Sequence, residues 1–170
     1  MGTILRSNPI DILESVRARL VEVMDWPEER VRFGDPDDLE SYPQADQFLT
    51  VWYGGDRPET NISLAGGRVD DRHYFQVEVT LFTRCGLDEP GSGYWWLTEA
   101  ELGHLVWVNA LHNALNVFLP VDKDGNGLCA EPLKHAGGTR PKRDQRDRDW
   151  GKSTSTWVAH FLTDVAQGYQ

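Results

Sequence analysis

Residues 75–81 alternate without exception between apolar and polar side chains. The apolar positions are Phe75, Val77, Val79 and Leu81, and the polar ones are Gln76, Glu78 and Thr80. Because successive side chains of a strand point to opposite faces, this pattern predicts a sheet with one buried face and one solvated face. Such a sheet is stable only when another layer covers its apolar face. The rest of the chain must therefore supply that layer.

Two segments have the spacing expected of covering helices. The first spans residues 9–24, where apolar residues recur at intervals of three and four after a proline at the helix start. The second is predicted at 98–118, because Thr98 and Glu101 form a capping box. Its first half is apolar around the whole circumference, so that half needs a cover on both sides.

Further segments are rich in strand-forming residues. They lie at 48–53, 62–64, 128–133 and 157–165, and the glycines and proline of 54–58 predict that the first of them ends in a turn. The order of elements predicts an α+β fold, with a mostly antiparallel β-sheet, two main α-helices packed on it and one extended β-hairpin at 54–71. A chain of 170 residues is expected to form this fold as a single domain, residues 1–170.

The charge and the cysteines limit the class of protein. The net charge is −10, from 27 acidic and 17 basic residues, and such a surface repels the phosphate backbone of nucleic acids. Cys85 and Cys129 are too few for a disulfide framework, which indicates free thiols in a reducing compartment. The longest apolar stretch is interrupted by polar residues, so no membrane span is predicted. We expect a soluble intracellular protein.

Residues 122–127 match the first half of a calcium-binding EF-hand loop, with oxygen ligands on Asp122, Asp124 and Asn126. The second half of the loop fails, because Leu133 stands where a bidentate glutamate is required. We therefore expect a polar turn and no metal ion. A small metal- or ligand-binding module that uses this loop is the alternative function.

No catalytic pattern is complete in this sequence. Residues 151–153 resemble the end of a phosphate-binding loop, but Arg146 stands where its first glycine is needed, and the residues that follow favour a strand. The five histidines form no metal-binding motif, and a Ser-His-Asp set does not follow from residue types alone. We expect neither an enzyme nor a cofactor, and a hydrolase built on His and Asp side chains ranks last among the functions considered.

Residues 140–149, here called the basic segment, concentrate charge of both signs. Its cations are Arg140, Lys142, Arg143, Arg146 and Arg148, and three aspartates lie among them. The segment carries +2, which leaves −12 for the rest of the chain. One interpretation is a solvated loop whose charges compensate each other. The other is a mobile arm that docks on a neighbour of opposite charge, with Trp150 as its apolar anchor.

Seven tryptophans are a large number for a chain of this length. We expect more aromatic area than a lone fold can bury, and therefore contacts between copies of the chain or with a companion protein. Trp95, Trp96 and Trp107 lie at or near the start of the second predicted helix. Together with the five cations of the basic segment and Trp150, they form the candidate assembly interface.

The order of these elements resembles that of the tail terminator or tail-completion proteins of long-tailed bacteriophages. The resemblance is carried by the helix at 9–24, the strand at 75–84 before a polar loop, the helix at 98–118 and the tripeptide 131–133 before the last strand. It covers nearly the whole chain. Members of this family are small acidic α/β domains that typically close into hexameric rings.

The resemblance implies a non-enzymatic structural protein in the tail or neck of a virion, assembled in the host cytoplasm. Such a protein forms a ring, expected to be a hexamer, that caps the tail tube and joins it to the head-tail connector. Its partners are other copies of itself, the tail tube protein and the connector proteins. DNA would pass through the ring without specific binding, which suits an acidic surface.

Overall fold

The computed structural model describes residues 9–63, 69–85, 95–98 and 103–164, and it describes the side chains of all of these except 56–63, 69–73, 95 and 161–164. The helices are α1 (Pro9–Met24), a 3-10 turn (Glu28–Arg30), α2 (Trp95–Thr98) and α3 (His104–Leu115). The strands are β1 (Val31–Phe33), β2 (Gln47–Ser63), β3 (Val69–Arg84), β4 (Lys134–Gly138), β5 (Lys142–Arg143) and β6 (Trp150–Asp164). No helix within the described ranges has the length and apolar character needed to cross a membrane.

The strands form one sheet in the order β1-β2-β3-β6-β4, with β5 paired to β6. β1 and β2 run parallel, and every other strand pair is antiparallel. β2 and β3 make one long hairpin, paired from Gln47 opposite Thr83 to Ser63 opposite Val69. α1 and α3 pack together on one face of the sheet. The predicted α+β class is confirmed, with its mostly antiparallel sheet, two main helices and one extended hairpin.

The main core lies between the helices and the sheet. α1 contributes the buried stripe Ile12, Val16, Leu20 and Met24. β3 contributes the alternating residues Phe75, Val77, Val79 and Leu81, which are at most 1% exposed. Each fully buried side chain of this kind contributes roughly 1.5–3 kcal/mol of hydrophobic free energy. The helix at 9–24 and the buried face of β3 are therefore confirmed, and both contribute to the main core.

The opposite face of the sheet is covered where β6 begins. Phe48 and Phe82 stack there with ring centroids 4.4 Å apart, and Trp150 lies edge-on to Phe48 at 5.1 Å. Tyr42, from the loop between β1 and β2, stacks on Trp150 at 5.5 Å. These four rings are called the aromatic cluster. The prediction that this face of β3 is solvated is wrong here, because the loop covers Phe82.

β2 continues through the segment that was predicted to end it. Pairing with β3 proceeds past Tyr53, with a register shift before Gly55. Such a shift is a β-bulge, which accommodates the extra residue without ending the ladder. Pro58 lies beyond the last residue of β2 that pairs with β1, and a proline is tolerated in an edge strand.

Two other predicted boundaries are wrong. The helix predicted at 98–118 is two helices, and Thr98 ends α2 while Gly103 is the N-cap of α3; Glu101 lies outside the described residues. The segment 128–133 forms no strand, and its leucines are buried in the main core. The strand follows at 134–138. Gly137 lies at a register shift of this strand and has φ of 135°, a backbone conformation that would be strained in a residue with a side chain.

The strands β2, β3 and β6 extend beyond β1 and β4, the short strands that flank them. β1 pairs with β2 only at 49–51, and β4 pairs with β6 only at 155–158. Past these positions β2, β3 and β6 run on together to residues 63, 69 and 164. We call residues 55–63, 69–76 and 159–164 the distal arm. Within the described ranges, neither outer edge of the arm pairs with another strand.

Candidate assembly interface

The tryptophans of the predicted interface lie mostly inside the molecule. Trp150 is buried in the aromatic cluster, and Trp96 is buried beneath α3. Trp107 is half-buried against the main core, and the side chain of Trp95 lies outside those described. Among the described indoles, Trp52 alone is exposed. The premise that tryptophan area is left over is therefore wrong for Trp96 and Trp150, and a contact role for Trp95 and Trp107 stays a prediction.

The indole of Trp96 packs against the backbone of Gly151, in the space that a side chain at this position would occupy. A Cβ atom at Gly151 would lie 2.3 Å from the ring of Trp96, so a glycine is required at this position. Trp96 also lies edge-on to His104, with ring centroids 5.3 Å apart. The segment that resembles the end of a phosphate-binding loop is thus part of β6, and its glycine makes room for an indole.

His104 is completely buried at the start of α3. Its Nδ1 lies 3.0 Å from the hydroxyl of Thr83, and its Nε2 lies 2.7 Å from the hydroxyl of Ser153. Burial lowers the pKa of His104 to about 4, so the ring is neutral at neutral pH. Each hydroxyl can donate or accept, which satisfies either tautomer. The ring therefore joins α3 to β3 and β6, and its burial denies it the access that a catalytic base needs.

A second histidine contacts a serine in a groove of about 230 Å³ between α3 and β6. His112 Nε2 lies 3.1 Å from the hydroxyl of Ser155. The rings that contact His112 are those of His135 and Trp157, and no carboxylate of the described residues binds it. Burial, and then the charge of His135, lower the pKa of His112. The described residues therefore do not assemble the carboxylate-oriented base of a serine hydrolase at this position.

One aspartate of the basic segment is turned inwards. Asp144 is 1% exposed and accepts hydrogen bonds from the hydroxyl of Tyr42 at 2.7 Å and from the backbone N–H of Arg146 at 3.2 Å. It also lies 3.4 Å from the ammonium of Lys152. Burial raises the pKa of Asp144, but these three partners outweigh burial and leave the pKa lowered. Sequence reasoning missed this site, because Tyr42 is 102 positions away in the chain.

The five cations of the basic segment have no carboxylate partner in the part of the chain that is described. Arg143 and Arg146 donate to backbone oxygens, those of Arg148 and Asp37. With Asp144 buried, two aspartates remain beside five cations, which gives this surface a net charge of +3. The interpretation of a loop whose charges compensate each other therefore fits poorly. The prediction of Trp150 as an apolar anchor for a neighbour is wrong, since its indole is buried in the aromatic cluster.

A groove of about 720 Å³ runs along the exposed side of α1, and we call it the α1 groove. Its apolar lining comprises Phe33, Phe118 and Val121, and its carboxylates include Asp11, Glu14, Asp122 and Asp124. Arg17 and Arg19 also line it, but they pair with Glu28 and Glu22. The groove is therefore apolar in its lining and acidic at its rim. Sequence reasoning did not identify it, because it forms between segments more than 90 residues apart.

Residues 122–127 form a hydrogen-bonded turn. One oxygen of Asp122 accepts from the backbone N–H groups of Asp124 at 2.9 Å and Asn126 at 2.8 Å, and the other accepts from the Asn126 amide at 2.9 Å. The Asn126 amide, followed by its backbone N–H, lowers the pKa of Asp122. No cluster of three or more His, Cys, Asp or Glu side chains among the described residues could hold a metal ion.

Calcium is expected to leave the melting temperature of the protein unchanged, because the Asp122 carboxylate is engaged with the turn's own donors. A ligand that binds the folded state and not the unfolded state would raise the melting temperature. Differential scanning calorimetry with calcium, and with magnesium as the control cation, measures the effect. A rise with calcium that disappears in Asp122→Asn would support the metal-binding module instead.

No family model matches the chain, and no curated protein matches it either. Among solved structures, the chain is similar to a chain from the "Virion of native gene transfer agent (GTA) particle". The two share 13% sequence identity with a TM-score of 0.49, over 95% of this chain and 100% of that chain. The assignment of a function therefore depends on the residues of this chain.

Proposed function

We propose that the chain is a non-enzymatic structural protein of a virion, which forms a closed ring, caps the tail tube of a long-tailed phage and joins it to the head-tail connector. The order of elements, which resembles that of tail terminator proteins, supports this function. So does the net charge of −10, because an acidic ring does not retain the DNA that passes through it. The observation that carries the proposal is the distal arm.

The distal arm has two long edges that an isolated molecule leaves without strand partners in the described ranges. Exposed edges of this kind are templates for pairing with another chain. A neighbouring copy would satisfy the backbone N–H and C=O groups of these edges other than the His160 carbonyl, which accepts from the N–H of Ala130 at 2.8 Å. Because one edge belongs to β2 and the other to β6, the contact is between unlike surfaces. Repeated contacts of this type close into a ring when the rotation permits.

A ring that joins a tube to a connector also needs two further surfaces. Leu105 and Val106 are exposed at the start of α3, where the sequence predicted a helix that needs a second cover. Val117 is 76% exposed after the end of α3, and Leu119 is also exposed. Contiguous exposed apolar residues are typical of protein contact sites. We assign these two patches to the tube protein and the connector proteins.

The oligomeric state of the purified chain tests the proposal. Multi-angle light scattering across a concentration series is expected to give the mass of a small closed oligomer, and negative-stain electron microscopy is expected to give rings with a central opening. A mass of one chain at every concentration, with no rings in the micrographs, would contradict the proposed function.

A variant with a shortened arm is the matched control. Residues 57–74 are replaced by Asn-Gly, which forms a tight turn between Asp56 and Phe75, a pair that is opposite in the β2–β3 register. The main core and both helices are retained, so the variant should still unfold cooperatively, with a circular dichroism spectrum that loses only the strand signal of the arm. It is expected to lose the ring. A ring that persists in this variant would exclude the arm as the contact between copies.

A further inference from the structure

We infer that the basic segment of one copy docks in the α1 groove of the next copy. This inference rests on the proposed function, since it names a second contact that closes the ring. Its basis is the complementarity of two described surfaces in charge and in form. One is a basic segment that forms part of the surface beside β6, and the other is an acidic groove with an apolar lining.

The basic segment is a surface whose cations have no carboxylate partner within the described ranges. Arg140, Lys142 and Arg148 are exposed, and none of them has an ion pair within the described ranges. β5 attaches the segment to β6, and the buried Asp144 attaches it to Tyr42. The cations are therefore presented on a held backbone, which lowers the entropy that a partner must remove on binding.

The α1 groove has the opposite charge. Its two arginines are neutralised by glutamates, so Asp11, Glu14, Asp122 and Asp124 face Lys123 as the remaining cation. The four carboxylates and one ammonium give a net charge of −3, which balances the +3 of the basic segment. Phe33 and Phe118 lie under Arg17 and Arg19 of the same chain, and the exposed Val121 can pack against the aliphatic stems of arginine and lysine side chains from another copy.

The two surfaces lie on opposite faces of the sheet. The groove is lined by α1, which packs on the face that holds the main core, whereas the basic segment binds the loop 34–46 on the face of the aromatic cluster. The sheet separates them in one molecule, so a contact between them joins two copies. The contact is between unlike surfaces, as a ring requires.

Charge reversal on each side tests the contact. The loop variant is Arg140→Glu with Arg148→Glu, and the groove variant is Glu14→Lys with Asp124→Lys. All four side chains are exposed and outside the core, so the fold should be retained. The control for the groove variant is Glu29→Lys with Glu40→Lys, which makes the same positive charge change at exposed sites that do not line the groove.

Sedimentation velocity is expected to show that the loop variant and the groove variant each raise the dissociation constant of the copy-copy contact by about 100-fold, because like charges then face each other. The control variant should remain a ring. An equimolar mixture of the two variants should restore the ring, since each reversed loop meets a reversed groove and each native loop a native groove. Circular dichroism spectra that match the spectrum of the wild type verify that both variants are folded.

The inference fails if either variant still forms the ring, or if the mixture stays monomeric while both variants are folded. These outcomes leave the proposed function intact, provided that the wild-type chain forms a ring. A wild-type chain that is monomeric under all conditions would overturn both the proposed function and this contact.

Discussion

Replacement of Asp144 by alanine is expected to lower the free energy of unfolding by about 3 kcal/mol, because it breaks a buried ion pair. The ammonium of Lys152 is itself buried and lies above the ring of Phe82. Without Asp144 it keeps one carboxylate, that of Asp37, and the hydroxyl of Tyr42 loses its acceptor. The loop that carries Tyr42 would then hold the aromatic cluster less firmly.

The same lysine provides the matched control. Lys152 Nζ lies 2.7 Å from Asp37 and 3.4 Å from Asp144, so distance alone would rank Asp37 as the stronger partner. The side chain of Asp37 is 81% exposed, however, and that of Asp144 is 1% exposed. Exposed ion pairs contribute about 0–1 kcal/mol, so Asp37→Ala is expected to have a much smaller effect than Asp144→Ala.

Urea denaturation of both variants at neutral pH and one fixed protein concentration measures the difference, and the fixed concentration keeps any contribution of oligomerisation constant. The double variant Asp144→Ala with Lys152→Met should recover part of the loss, since it removes the unpaired buried charge. If Asp37→Ala destabilises the chain as much as Asp144→Ala does, burial is not what gives this ion pair its contribution.

The periodic parts of the fold could be read from the sequence. In α1 and in β3 one face is buried and the other is solvated. The apolar residues therefore recur with the period of the helix or the strand, and that spacing is visible in the sequence. β2 could not be bounded in this way, because its glycines and proline favour a turn locally while seventeen residues, Gln47–Ser63, pair with β3 or flank its bulge. β4 consists of residues with little strand preference, and its pairing is imposed by β6.

The candidate contact surfaces were only partly readable from the sequence. The five cations of the basic segment were identified correctly as a concentration of charge. Whether the aspartates of the segment neutralise them depends on the direction in which the side chain of Asp144 points. That direction is set by Tyr42 and Lys152, which approach it through tertiary packing. The tryptophans misled for the same reason, since the space for Trp96 exists because residue 151 is a glycine on a strand whose position the sequence did not reveal.

Acid is expected to destabilise the protein between about pH 6.5 and pH 4 through His104. The pKa of this histidine is 6.5 in a model peptide and about 4 in the folded chain, lowered by burial. In that window the unfolded chain binds a proton that the folded chain excludes, so stability falls as the pH falls. The slope is about 1.4 kcal/mol per pH unit, and the total loss is about 3 kcal/mol once the pH is below both values.

His104→Gln isolates this contribution, because a glutamine amide can still donate to one of the two hydroxyls of Thr83 and Ser153 and accept from the other without titrating. The urea midpoint should therefore fall less steeply between pH 7 and pH 4 in the variant than in the wild type. The difference in the free energy of unfolding should correspond to the uptake of one proton. Asp144 does not interfere, because its lowered pKa places its own loss of stability below pH 4. Parallel pH profiles for the two proteins would mean that His104 takes up its proton without unfolding, and that the hydroxyls of Thr83 and Ser153 stabilise the charged ring.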